Sequence, residues 1–231
     1  MRKNIFLLAL LFFVGLGTTL SAQGNNAYRV SKDSDPAAVK IVYALRKQYD
    51  SYTTIKAAFR LDIEFPGQAV ETQTGELSRS GDLFHFKLGK QEGISDGKAL
   101  YAILRARKAM QVSKLPEPGE DGGMITPQTL FSFYDQGNYI LALQGEETEK
   151  GRVRQVIEMK PENRDESEFT KLRMVIDKKT QTVVRLLAFS RDGSRFTFHL
   201  DSTVPNAPMN AADFVFKKDN YPGYYVEDLR F

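Results

Sequence analysis

The residues best suited to move a proton near neutral pH are His85 and His199, the only two histidines in 231 residues. Each stands in a run of period two, alternating with Phe84 and Phe86 in one case and with Phe198 and Leu200 in the other. Both should therefore face away from the apolar side of a strand, as solvated residues. The spacing of a zinc site is missing, and the absence of cysteine removes thiol catalysis, disulfides and thiolate metal ligands. No nucleophile elbow, Walker loop or dinucleotide fingerprint is present. The glycine-rich stretch from Gly119 to Gly123 contains Glu120 and Asp121, which would repel a phosphate. The paired carboxylates Glu146-Glu147 and Asp165-Glu166 sit in charged loops, where solvation accounts for them. No nucleophile with a general base can be assembled, so the chain reads as a binding protein rather than an enzyme, with no cofactor and no metal.

The elements that would position a binding surface follow from patterning. Arg2 and Lys3, an apolar run from Ile5 to Leu16 and the small-residue exit Leu20-Ser21-Ala22 describe a secretory signal peptide cleaved near Ala22. Gly15, Gly17, Thr18 and Thr19 interrupt the run, well short of the roughly 20 apolar residues of a membrane-spanning helix. Loss of Arg2 and Lys3 lowers the net charge from +3 to about +1, which argues against a nucleic-acid partner. A polar lead-in over 23–33 precedes one domain over 34–231.

Asp35-Pro36 supplies an N-cap and a first-turn proline, and Ala38, Ile41, Val42, Leu45 and Tyr49 follow at helical spacing, which predicts a helix over 36–50. From Ile55 the period changes to two. Phe59, Leu61, Ile63 and Phe65 alternate with charged residues, Ser80-Gly81-Asp82 turns the chain into Phe84, Phe86 and Leu88, and Asp96-Gly97 turns it into 99–105. Thr126-Pro127 opens a second, short helix through Leu130, Phe131 and Tyr134. Further strands run around 139–143, 153–159, 172–176, 184–189 and 196–200, and Phe214 with Phe216 closes the set. About ten strands with two helices at these intervals predict a long antiparallel meander, and a sheet of that length curls into a barrel or half-barrel.

Several segments together resemble the LolA family, periplasmic carriers of outer-membrane lipoproteins. Ile94-Ser95-Asp96-Gly97-Lys98-Ala99-Leu100-Tyr101 matches that family's I/V-S-D-G-K-x-L-W/Y stretch. Ala58-Phe59, Gly75-Glu76-Leu77 and Leu83-Phe84-His85-Phe86 precede it; Thr126-Pro127 with Leu130, Phe214-Val215-Phe216, Pro222-Gly223 and Asp228 follow in order. The resemblance implies a mainly β fold with some α: a half-open antiparallel β-barrel of 10–11 strands under a helical lid, periplasmic and monomeric. It also implies acylated lipoproteins as cargo, an inner-membrane ABC-type release complex as donor and an outer-membrane acceptor. Two positions depart from the family. Its functional arginine falls at Ser80, with Arg79 beside it on the opposite face of the strand, so Arg79 and Ser80 are the candidates for a lid latch; its glutamine falls at Leu61.

Each methylene of an acyl chain costs about 0.8 kcal/mol to leave in water, so a lipid anchor needs an apolar escort to cross an aqueous space. Phe59, Leu61, Ile63, Phe65, Phe84, Phe86, Tyr101 and Ile103 are expected on the concave face of the sheet, with Leu130, Phe131 and Tyr134 on the lid side, as the lipid-binding set. A filled core would use the same residue types, and a carrier of another lipid or glycolipid, or a lipid- or protein-sensing module, would use the same fold.

Overall fold

The computed structural model describes residues 31–115, 139–165, 167 and 169–230. The expected signal peptide, most of the lead-in, the Gly119–Gly123 loop and the lid helix with Leu130, Phe131 and Tyr134 lie outside the described residues.

Helix α1 (Pro36–Asp50) starts where the cap predicts: the Asp35 carboxylate accepts from the Ala37 N–H at 2.8 Å, and Pro36 needs no acceptor in the first turn. The helix ends at Ser51, whose N–H donates to the carbonyls of Lys47 and Gln48. Ala38, Val42, Leu45 and Tyr49 form its buried stripe. The rest is one twelve-stranded sheet. Its first half holds β1 (Thr54–Glu64), β2 (Glu71–Ser80), β3 (Leu83–Leu88), β4 (Gln91–Asp96), β5 (Ala99–Leu104) and β6 (Ala109–Lys114). Its second half holds β7 (Tyr139–Glu149), β8 (Arg152–Pro161), β9 (Phe169–Asp177), β10 (Thr182–Ser190), β11 (Arg195–Pro205) and the short β12 (Tyr225–Asp228).

The spatial order β12-β6-β5-β4-β3-β2-β1-β11-β10-β9-β8-β7 is two meanders joined where β1 pairs with β11. All neighbours are antiparallel except β12, which lies parallel to β6. β12 and β7 are the two edges, so the sheet is not closed, and the fold is a half-open barrel with a helix in its hollow. One sequence expectation needs correcting. The Phe214–Phe216 segment is not a strand: Ala211–Phe214 is a 3-10 turn that packs on β3 and β4, capped by Asn210 and Asp213 in a capping box. The closing strand is β12 instead, which single-residue periodicity over four positions does not reveal.

Register carries one face of the sheet inward from strand to strand. Leu61 opposes Phe198, Phe59 opposes Gly75, Leu77 opposes Phe86, and Ile157 opposes Met174. The buried stripe of α1 lies on this concave face, in one core with Ile55, Ala57 and Phe59 of β1, Leu141 of β7, Ile157 and Met159 of β8, Leu172, Met174 and Ile176 of β9, and Leu186 and Ala188 of β10. Both helix ends are fastened on that side. Asp35 donates its N–H to the Leu141 carbonyl at 2.8 Å and accepts from the Leu143 N–H, while Ser34 Oγ accepts from the Leu141 N–H, which also satisfies part of the β7 edge. At the other end the Tyr49 hydroxyl accepts from the Val183 N–H, and Gln48 donates to the Thr180 carbonyl. Burial, more than any neighbour, raises the Tyr49 hydroxyl to about 12.

A second, smaller core lies on the outer face: Ile94, Ile103 and Met110, with Tyr101, beneath Phe216, Tyr221 and Tyr224 of the C-terminal segment. Tyr101 stacks on Phe216 at 4.4 Å, and Phe216 on Tyr221 at 5.6 Å. The segment after β11 thus runs over the outside of β3–β6 and delivers β12 to the edge of β6.

Candidate functional site: an open apolar face beside helix α1

α1, fastened to β7 and to the β9–β10 turn, shares its core with Ile55, Ala57 and Phe59 of β1, Leu77 of β2 and Phe84 of β3, and beyond this core the concave face of β1–β6 and β11 is only partly buried. The apolar inward residues there are Leu61 and Ile63 of β1, Phe86 and Leu88 of β3, Leu100 and Leu104 of β5, and Phe196, Phe198 and Leu200 of β11, every one of them only half-buried; by the same register Glu71 and Gln73 of β2, Gln91 of β4 and Gln111 and Ser113 of β6 also face this side. Phe59 and Phe84 share this face but are buried. Phe65, one residue past β1, stays on the same side through an edge-on contact with Phe196 at 6.5 Å, and Phe169 meets Phe196 at 6.3 Å. Phe59 and Phe198 lie 4.7 Å apart. A half-exposed surface dominated by leucines and phenylalanines, with a few glutamines among them, is unusual for a solvated sheet face and fits a sheltered apolar ligand. A hollow of about 360 Å³ bordered by Tyr43, Ala44, Lys47 and Asp50 lies on the side of α1 turned away from the strands and is no part of this face.

The structure brings six of the eight expected sheet residues together: Phe59, Leu61, Ile63, Phe65, Phe84 and Phe86. Tyr101 and Ile103 are corrected. Ile94 opposes Tyr101 and Glu92 opposes Ile103, so both point to the outer face, under the C-terminal segment. Their strand reads Ala-Leu-Tyr-Ala-Ile-Leu, apolar on both faces, and alternation alone cannot say which side looks inward. Leu100 and Leu104 are the concave residues. Phe196, Phe198 and Leu200 are visible in the sequence as a strand, and their pairing with β1 is what makes them part of the site.

Of the two latch candidates, Arg79 lies on the concave face between its register partners Ile55 and Phe84, and Ser80 points outward. The Arg79 Nε donates to the Gly81 carbonyl at 3.0 Å. Burial lowers its pKa, with the nearby carboxylates of Asp82 and Asp50 opposing that shift. It is a guanidinium held at the apolar face, beside the last turn of α1.

The Ser95-Asp96-Gly97-Lys98 stretch is a turn that satisfies itself. Ser95 Oγ donates to the Asp82 carbonyl at 2.7 Å; Asp96 Oδ1 accepts from the N–H groups of Lys98 and Ala99; Gly97 takes φ 83° at the first loop position. The Tyr101 hydroxyl donates to Asp96 Oδ2 at 3.0 Å. Ser95, on the concave face between Phe84 and Leu100, and Asp96 are thus engaged in holding the turn.

The histidines face outward as expected but are paired rather than merely solvated: His85 to Glu92 at 2.7 Å and His199 to Asp62 at 2.9 Å. Glu92 is 4% exposed, and its desolvation works to raise its pKa; hydrogen bonds from His85 and Arg105 overcome this and bring it down to about 2. The burial of Tyr221, together with the same carboxylate, pushes that hydroxyl up to about 12. Because the folded-state pKa of Glu92 lies below its ordinary 4.5, its contribution to stability is complete above pH 4.5 and is lost as the pH falls toward 2. Urea titrations at pH 6 and pH 3 should show a smaller acid-induced loss for Glu92→Gln than for the native chain; equal losses would mean that His85 and Arg105 do not hold Glu92 ionised in the folded chain.

On the outer face of β8–β10, Asp177 receives Arg152 and Arg154, and Glu158 receives Lys160, Lys171 and Arg173. These networks lie on the opposite side of the sheet from the apolar face. Among the described residues no group of three or more His, Cys, Asp or Glu could hold a metal ion, and no helix is long and apolar enough to cross a membrane.

No protein-family model matches the chain, and no curated protein matches its sequence. Solved structures do share its fold. An uncharacterised conserved protein from Thermus thermophilus superposes with a TM-score of 0.54 at 11% identity, over 83% of this chain and 99% of that one. A putative outer-membrane lipoprotein-sorting protein domain from Vibrio parahaemolyticus gives a TM-score of 0.44 at 13% identity, over 77% of this chain and 96% of that one. A LolA superfamily protein from Nitrosomonas europaea gives 0.43 at 10% identity, over 78% and 97%. At these identities the likeness is one of fold alone.

Proposed function

We propose that this chain is a periplasmic carrier that shelters the acyl chains of a lipoprotein on the open part of its concave face and moves them from the inner to the outer membrane. The observation that carries the reading is the half-buried apolar surface from Leu61 to Phe198 and Leu100, at the margin of the core that α1 fills, on a sheet that does not close. Such a surface gains about 25 cal/mol for each Å² that a ligand covers, enough over two or three acyl chains to offset their loss of freedom. The resemblance of the sequence to lipoprotein carriers supports acylated protein as the cargo. In this reading an inner-membrane ABC-type complex supplies the energy of loading, since the sequence has no nucleotide motif of its own. An outer-membrane acceptor unloads by binding the chains more tightly. Of Arg79 and Ser80, Arg79 is the candidate latch for a covering segment in this reading, because its register partners Ile55 and Phe84 lie on the concave side.

The test is mass spectrometry of the native chain purified from its own cells under non-denaturing conditions. The reading expects co-purifying triacylated or diacylated protein, and expects lipoproteins to accumulate in the inner membrane when the chain is depleted. Co-purification of a phospholipid or glycolipid with undisturbed lipoprotein sorting would reassign the cargo, and absence of any acyl lipid would end the carrier reading.

A further inference from the structure

Two glycines on the concave face have no conformational reason to be glycine. Gly75 of β2 and Gly93 of β4 both lie within regular strands, and neither has a φ in the left-handed region. Both are buried. Gly75 is the register partner of Phe59, and Gly93 is the register partner of Phe86. A Cβ on Gly75 would stand 2.4 Å from Cε2 and Cζ of the Phe59 ring, and a Cβ on Gly93 would stand 2.1 Å from Cε1 of the Phe86 ring. Each phenylalanine therefore lies down across the neighbouring strand, onto bare backbone, instead of standing off the sheet as strand side chains ordinarily do.

Standing side chains fill the roughly 10 Å layer between a sheet and whatever packs on it. A ring laid flat fills only its own thickness and turns its face to the hollow. We propose that Gly93 sets the depth of the binding face: it holds Phe86 down as a floor, as Gly75 holds Phe59 down in the adjoining buried core, so that a long acyl chain can run over the Phe86 ring face in space that an upright ring would occupy. This inference rests on the carrier reading and adds to it the residues that make room for the ligand. Beyond Gly93 the floor continues at the same level through Ala102 of β5, its register partner, again a small residue.

The two glycines differ in what a substitution would disturb. At Gly75 the Lys87 carbonyl oxygen also lies 2.5 Å from the added carbon, so the backbone would have to move. At Gly93 the three nearest atoms all belong to the Phe86 ring, so Gly93→Ala acts first on the ring and drives it upward. The experiment is a fluorescence titration with cis-parinaric acid, a fluorescent long-chain fatty acid. Gly93→Ala is expected to weaken binding about tenfold, and the double variant Gly93→Ala/Phe86→Leu, which removes the raised ring, to restore it to within about twofold of the native value. A folding-independent check uses the native chain: the Gly93 Hα proton resonance should be shifted upfield by the ring current of Phe86, and Phe86→Leu should abolish the shift. Native affinity in Gly93→Ala, failure of the double variant to recover, or an unshifted Gly93 proton would each overturn the inference while leaving the carrier reading standing. A native chain that binds no acyl probe at all would overturn both.

Discussion

Replacing Leu61 with glutamate is expected to lower affinity for an acyl-chain ligand by at least about a hundredfold while the chain stays folded. Leu61 opposes Phe198 on β11 and Gln73 on β2, faces the hollow and is half-buried, outside the set of residues that the α1 core buries completely. A carboxylate there keeps its water in the empty protein, so the fold loses little. When a chain covers it, the carboxylate must lose that water or take up a proton, at a cost of several kcal/mol. A hundredfold corresponds to about 2.8 kcal/mol, well within that penalty. The matching control is Tyr101→Ala on the outer face. It removes the stack on Phe216 and the hydrogen bond to Asp96, so stability should fall while ligand affinity is unchanged. A titration of both variants with the same fatty-acid probe separates the faces. Equal loss in the two, or loss only in Tyr101→Ala, would place the ligand on the wrong side of the sheet for this account.

Leu45→Ala should lower the stability of the chain by about 2–5 kcal/mol, a fall in Tm on the order of ten degrees. Leu45 is 0% exposed, at the centre of the helical stripe formed with Ala38, Val42 and Tyr49, in the same core as Ile157, Met174 and Ile176. Truncation leaves a cavity that cannot collapse readily, because α1 is held at both ends by Asp35 and by Tyr49 and Gln48. Acyl binding should survive this change, since Leu61, Ile63 and Leu104 of the open face lie outside the core to which Leu45 belongs. Calorimetry and the fluorescence titration on one preparation check both statements. A Tm within about two degrees of the native value would mean that α1 is not seated in the hollow, and a collapse of ligand binding would mean that the helix, not the open strands, forms the site.

The parts of this fold that the sequence makes legible are those in which one physical signal acts alone. α1 has a cap, a first-turn proline and a clean apolar stripe, and its bounds follow from them. β1 and β3 alternate sharply between apolar and charged residues, so Phe59, Leu61, Ile63, Phe84 and Phe86 can be assigned to one face without knowing their partners. β5 is apolar on both sides because its inward face lines the hollow and its outward face lies under the C-terminal segment; for that reason alternation draws Tyr101 and Ile103 to the wrong face. β12 has no pattern of its own, since its place is set by the aromatic stack of Tyr101, Phe216 and Tyr221 that lays the segment down. The histidines illustrate a third limit. Alternation gives their direction, but the pairing of His85 with Glu92 and of His199 with Asp62 depends on cross-strand neighbours, which only register reveals. The Ser95–Lys98 stretch carries the resemblance most clearly, yet the side chains of Ser95 and Asp96 are spent on a turn, so a motif can mark a fold through its structural role.

The most direct measurement is photo-crosslinking with a long-chain fatty acid that bears a diazirine near the middle of its chain, followed by mass-spectrometric mapping of the labelled residues. Labels are predicted on the concave residues of β1, β3, β5 and β11, above all Leu61, Phe86, Leu100 and Phe198, and should disappear when unlabelled fatty acid competes. Competable labelling confined to the outer face, at Tyr101, Phe216 or Tyr221, would contradict the account.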